Sequence, residues 1–341
     1  MSKCRERIEW IDFIKGIAIV AVMIDHLSGI IYTNEHLKNA SFFSVSVFII
    51  LSGITSYLNG NCETLSCYAI EVWKKCKKIV GAYLIAVLIY LIVRTHRFDL
   101  QEYVDNICFF NITGPHYFVL LYIQLMILCP LLRKIVKKAT LVQNAFLLIF
   151  LMVFTWWTSN YTNILYVYGG GGKLFGGTYL VLLYFGMVLA KYDVFQFNKN
   201  LKICVLGASG ISSFGFWKFF CILRDSEIGI CSEINPPGII LMMYSISTIF
   251  FLYAVFEVLK NYYCFNRIAN VWIYLGKNSL SIFLYHKLIL DFILCKRLSF
   301  VAQMNIAIAF IVCITCMSIG SIGIQWFINV LIKKVCKMYK D

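Results

Sequence analysis

Three ionisable residues stand inside one apolar stretch near the start of the chain. Residues 10–29, WIDFIKGIAIVAVMIDHLSG, are apolar enough to cross a bilayer and yet carry Lys15, Asp25 and His26. Ionisable groups in hydrocarbon are costly, so they face a protein interior or a wet cavity and mark function. Lys15 and His26 are eleven residues apart. On an α-helix eleven steps return to nearly the same face, about 16 Å further along the axis. One face of this helix would carry a cation near one end and an imidazole near the other. A long substrate with an anionic head and a reactive tail fits such a face. A neutral imidazole accepts a proton near neutral pH, which makes His26 a candidate general base for a hydroxyl. Asp25, its sequence neighbour, points about 100° away on the helix. It can orient His26 only through a shared neighbour or a bent backbone. The bland alternative for His26 is a structural histidine bonded to the next helix.

Other polar groups fall at the same depth. His116 opens a later apolar run, and His286, Lys287 and Asp291 lie in another. The topology given below puts Asp25, His26, His116, His286 and Asp291 in the outer half of the membrane, where one cavity could hold them. His116, His286 and Asp291 are the acceptor-side candidates. Lys287 is expected to snorkel to the surface, and Glu257 to sit at the interface. The run Trp73-Lys74-Lys75-Cys76-Lys77-Lys78 has lysines three apart, so Lys75 and Lys78, or Lys74 and Lys77, share a helix face. Paired ammonium groups at a membrane mouth suit a polyphosphate. Simple topological anchoring accounts for the same run. Ser52-Gly53 sits in the middle of an apolar segment, where small residues let helices approach closely. The fourteen cysteines have no repeated spacing. Cys313 and Cys316 form a C-x-x-C inside an apolar run, and all are read as small apolar side chains. No metal site is expected.

The elements that must position these groups follow from composition. Of 341 residues 60% are hydrophobic and only 14% charged, and the mean hydropathy is +0.78. A soluble domain carries about 25% charged residues, so the excess apolar surface must face lipid. The net charge of +14 lies in short clusters between apolar runs, which argues for membrane topology and against nucleic acid. Ten runs are long enough to span: 10–32, 41–59, 79–95, 116–132, 141–159, 174–190, 202–221, 237–259, 271–294 and 301–332. The seventh is weakened by Gly207, Gly210 and Gly215. Lys3, Arg5 and Arg7, and the basic clusters at 74–78, 133–138 and 333–337, all fall on one side if the N-terminus is cytoplasmic. Only scattered cations such as Lys38, Lys173, Arg224, Lys296 and Arg297 fall on the other. Both termini are therefore expected in the cytoplasm. The first run is read as a retained helix, because Lys15, Asp25 and His26 would spoil a signal peptide. The expectation is an all-α, polytopic bundle of about ten membrane helices. It forms a single domain over residues 1–341, with no appended soluble domain. The loops at 168–177 and 224–238 are candidate lids or plain connectors.

Four stretches, in order, resemble the acyltransferase-3 family of membrane acyltransferases. They are Lys15 with ten residues to His26; FFSVSVFIILSG; GPHYFVLLYIQLMILCPLL; and NSLSIFLYHKLIL. The resemblance implies a ten-helix core that moves an acyl group, usually acetyl, from acyl-CoA to a hydroxyl of a glycan or lipid-linked sugar. It further implies His26 as the essential histidine and Lys15 as the first-helix basic residue. The family's basic pair at the third helix falls on Lys75 and Lys78, or on Lys74 and Lys77. Lys stands where that pair is usually Arg, so bidentate phosphate contacts are replaced by point charges.

The sequence therefore reads as a multi-pass O-acyltransferase of the cell membrane. His26 acts as base with Asp25 beside it, and Lys15, Lys75 and Lys78 hold the phosphates of acetyl-CoA. The acceptor is a hydroxyl of a surface polysaccharide or lipid-linked sugar. The rival is a proton-coupled secondary transporter with Asp25, His26 and Asp291 as the relay. Such transporters often carry inverted repeats and paired broken helices, and the sequence displays neither.

Overall fold

In hydrocarbon every backbone polar group must be satisfied within the chain, which leaves helices as the economical solution. The structure, a computed structural model, describes residues 8–30, 34–60, 65–161, 174–225, 233–295 and 304–338. Among these residues there are thirteen α-helices and no strand. In chain order they are α1 Glu9–Ser28, α2 Glu35–Ser41, α3 Phe43–Asn59, α4 Leu65–Thr95, α5 Leu100–Phe109, α6 Tyr117–Lys138, α7 Leu141–Tyr161, α8 Tyr179–Lys191, α9 Lys199–Asp225, α10 Ile239–Leu259, α11 Tyr263–Lys277, α12 Ser279–Ile289 and α13 Ile306–Met338. Lys3, Arg5, Arg7, Lys173, Lys296 and Arg297 lie outside the described residues, as do residues 168–173 and 226–232 of the two loops.

Among the described residues seven helices are long and apolar enough to cross a membrane. The three other runs depart from that standard for identifiable reasons. The first, α1, carries Glu9, Asp12, Lys15 and Asp25. The sixth run forms α8, which has 13 residues. The ninth, 271–294, is not one helix. It breaks at Asn278, whose amide side chain donates to the Tyr274 carbonyl at 2.9 Å. Gly276 and Asn278 are helix-stopping residues, and Ser279 opens the next helix. The third run also differs from expectation. Helix α4 begins at Leu65, so the lysine run lies inside a helix of 31 residues and does not merely lead into one. The weak seventh run is continuous over 27 residues.

Two short helices lie in segments read as connectors. Asn34 caps α2 by accepting from the Leu37 amide, and Asp99 caps α5 by accepting from the Gln101 and Glu102 amides. Helix α5 lies on α4, where Tyr83 donates to the Asn106 carbonyl at 2.9 Å.

Helix α1 is enclosed on opposite sides. Ile11, Phe13, Ile14, Ala18 and Ala21 enter a core shared with α3, α6, α8 and α10. Ile19, Val20, Val22, Met23 and Leu27 enter a second core with α12 and α13. An apolar helix buried all round belongs in the middle of a large bundle. Helix α8 is the other central element, buried along almost its whole length. Helices α7, α9 and α13 instead expose Phe146, Phe150, Ile211, Phe214, Ile311 and Trp326. Such faces suit lipid contact.

Glycine pairs bring the central helices together. A Cβ on Gly53 would lie 2.2 Å from the Leu183 carbonyl oxygen, and one on Gly186 would lie 2.2 Å from that of Ile50. These two glycines join α3 to α8. Gly16 and Gly276 join α1 to α11 in the same way, with a Cβ on Gly16 falling 1.9 Å from the Trp272 oxygen. The Ser-Gly reading of α3 as a close-packing device is therefore correct, and its partner is α8.

Candidate active site

Two cavities lie along α1. The first, of about 260 Å³, is lined by Lys15, Ser52, Lys75, Lys78, Tyr122 and Ser279 among apolar side chains. The second, of about 130 Å³, is lined by Asp25, His26, Ser44, Tyr117 and Tyr179, with Phe42, Gly114, Pro115 and Ile234. Val22, Val45, Phe118 and Phe283 line both. The two cavities are therefore adjacent, with apolar side chains shared between their walls. Lys15, Val22 and His26 follow one another at helical spacing, so a single stripe of α1 runs from the cationic cavity past Val22 to the histidine. This is the face that the eleven-residue spacing predicts.

The lysine cavity gathers groups from five helices. Helix α1 supplies Lys15, α3 supplies Ser52, α4 supplies Lys75 and Lys78, α6 supplies Phe118 and Tyr122, and the break at Asn278 brings in Ser279 and Leu280 of the first turn of α12. Of the two lysine pairs open to the sequence, Lys75 and Lys78 face the cavity. Lys74 and Lys77 are exposed and absent from its lining.

Lys75 is held on three sides. Its ammonium lies 2.9 Å from Glu71 Oε1, 3.1 Å from Ser56 Oγ and 3.6 Å from Cys129 Sγ. Behind it, Arg133 grips both oxygens of Glu71 at 2.6 Å each. Arg133 also donates to the Ser56 carbonyl at 3.3 Å. Its side chain is 2% exposed. The sequence presents Arg133 as one cation of a topological cluster; the fold buries it. The available signal was Glu71, four residues before Lys75 on one helix, which is ion-pair spacing.

The histidine cavity gathers fewer of the candidates than expected. Asp25 and His26 both line it. His286 does not, but its ring stacks on His26 with centroids 5.2 Å apart and planes inclined by 29°. His286 Nδ1 lies 2.9 Å from the Ile282 and Phe283 carbonyls, so Nδ1 carries the hydrogen and Nε2 keeps its lone pair. Nε2 has no hydrogen-bond partner among the described residues.

His116 and Asp291 are not brought to this cavity. The His116 ring packs edge-on against Tyr83 and Tyr90, each at 5.3 Å. Its Nε2 lies 3.4 Å from the Leu284 carbonyl. Asp291 pairs with Lys287 at 2.8 Å, one helical turn apart. That pair also replaces the expected snorkelling of Lys287. Glu257, expected at the interface, is tied to Lys202 at 2.6 Å and Lys260 at 2.9 Å. Cys313 is buried and Cys316 exposed, and neither is in a disulfide. Among the described residues no cluster of three or more His, Cys, Asp or Glu could hold a metal ion.

Compared with known proteins, the chain matches a family model described as an acyltransferase domain over residues 8–328. No curated protein and no solved structure matches it.

Proposed function

The chain belongs to the acyltransferase-3 family and is a multi-pass membrane acyltransferase; on that premise we propose that it moves an acetyl group from acetyl-CoA to a hydroxyl of a surface glycan or lipid-linked sugar. The observation that carries this reading is the adjacent pair of cavities along α1, cationic at one end and holding a histidine at the other. About 16 Å of helix rise separates Lys15 from His26, a length matched to a pantetheine arm laid along that stripe of α1.

Lys15, Lys75 and Lys78 hold the phosphates of CoA as point charges. The first turn of α12 adds the favourable end of a helix dipole. In the second cavity His26 takes the proton of the acceptor hydroxyl. The oxygen attacks the thioester carbonyl, a C–O bond forms and the C–S bond breaks. CoA departs as the thiol, with the proton that His26 accepted. Asp25, Tyr117 and Tyr179, which line the same cavity, orient the acceptor. Both termini and the lysine cavity lie on the cytoplasmic side, with ten spans in all.

Membranes carrying the chain test this directly. They should release CoA from acetyl-CoA when a glycolipid fraction of the host envelope is supplied, and the product should carry a new O-acetyl ester by mass spectrometry. Acceptor-independent CoA levels and an unmodified glycolipid would refute it.

A further inference from the structure

Two residues behind the lysine cavity are assigned no role by the reading above. Glu71 and Arg133 form a two-oxygen, two-nitrogen ion pair at 2.6 Å and 2.6 Å. They join α4 to α6 and touch the cavity only through Lys75. We propose that Glu71 and Arg133 are positioning residues that fix Lys75 at the cavity wall and keep its charge available to a polyphosphate. The proposal rests on the donor reading of that cavity.

The argument is one of charge and geometry. Lys75 alone on a flexible stem would swing through many rotamers. Here its ammonium is tied to Glu71, Ser56 and Cys129, on three different helices. Three donors meet three partners, so Lys75 acts on a ligand as a fixed charge. A carboxylate 2.9 Å away would by itself cancel that charge. Arg133 removes the cancellation, because it accepts the Glu71 charge from the opposite side through both oxygens. Arg133, Glu71 and Lys75 together leave one net positive charge facing the cavity.

The site is built for this arrangement. A Cβ on Gly60 would lie 1.4 Å from Arg133 Nη1, so the end of α3 is shaped around the guanidinium. A bidentate fork is the geometry that Arg supplies and Lys does not.

The test is a double-mutant cycle on the affinity of the purified full chain for CoA. In the wild type, Lys75→Gln should weaken CoA binding about tenfold. In an Arg133→Gln background Glu71 captures Lys75, so binding should already be about tenfold weaker, and adding Lys75→Gln should cost less than twofold. Glu71→Gln combined with Arg133→Gln should return CoA affinity to within about threefold of wild type, because no carboxylate then offsets the Lys75 charge while Ser56 and Cys129 still hold its ammonium. Removing both charges also avoids leaving one buried charge unpaired, which is the strongly destabilising case, so this variant should fold even if Arg133→Gln does not. Equal costs of Lys75→Gln in both backgrounds would overturn the proposal. So would a folded double variant that binds CoA tenfold or more weakly. A wild-type chain that failed to bind CoA would overturn the donor reading and this proposal with it.

Discussion

Replacing His26 with Gln separates chemistry from architecture more sharply than any other single change. His26 lines the cavity and stacks on His286. Gln matches the imidazole roughly in volume and keeps a hydrogen-bonding group, but cannot take the proton. The structural loss is confined to one ring contact, about 0.5–1.5 kcal/mol. The catalytic loss for a general base is about 10²-fold or more in kcat, or about 2.7 kcal/mol of barrier. The proposed phosphate-binding lysines lie at the far end of the α1 stripe, so the KM for acetyl-CoA should stay within about twofold of wild type. The assay is CoA release at saturating acetyl-CoA, with thermal unfolding of the same detergent-solubilised preparation beside it. A companion, His286→Phe, keeps the stack while removing the free Nε2, and should retain kcat within about tenfold. A folded His26→Gln protein working at near wild-type rate would refute the assignment of His26. A larger loss in His286→Phe than in His26→Gln would move the base to His286.

The lysines divide by face: Lys75→Ala with Lys78→Ala should raise the KM for acetyl-CoA, more so at high salt where the remaining charges are screened, and Lys74→Ala with Lys77→Ala should not. Equal effects of the two pairs on KM would return the whole run to topological anchoring. Gly186→Val would drive a side chain into the Ile50 carbonyl, and such overpacking costs about 1–3 kcal/mol or more, visible as a lower unfolding temperature. Gly207→Ala meets nothing within 4 Å and should be neutral or stabilising by up to about 1 kcal/mol; the reverse order of the two glycines would contradict the packing. Cysteines introduced at Asn34 and Asn198 should react with an impermeant maleimide from outside and inside the cell respectively, and the opposite labelling would invert the proposed orientation.

Much of this chain was legible in its residues because the membrane imposes a one-dimensional rule. Long apolar runs must become helices, so seven of the ten expected runs fall on helices that, among the described residues, are long and apolar enough to cross a membrane, with shifted ends. Helical period is local geometry, so the shared face of Lys15 and His26 needed nothing beyond counting. Breaks and burial are different in kind. The interruption at Asn278 has local stop residues, but α11 lies against the early turns of α1 through Gly16 and Gly276, a contact between residues far apart in sequence. It decides which residues of the ninth run reach the lysine cavity. The choice between the two lysine pairs depended on which face of α4 meets α3 and α6. Arg133 was indistinguishable from its basic neighbours until Glu71 met it across α4 and α6. His116 and His286 looked equivalent as lone intramembrane histidines, yet one is enclosed by tyrosines and the other stacks on His26. Sequence fixes which groups share a helix face; only the packing of one helix against another decides which of those faces meet.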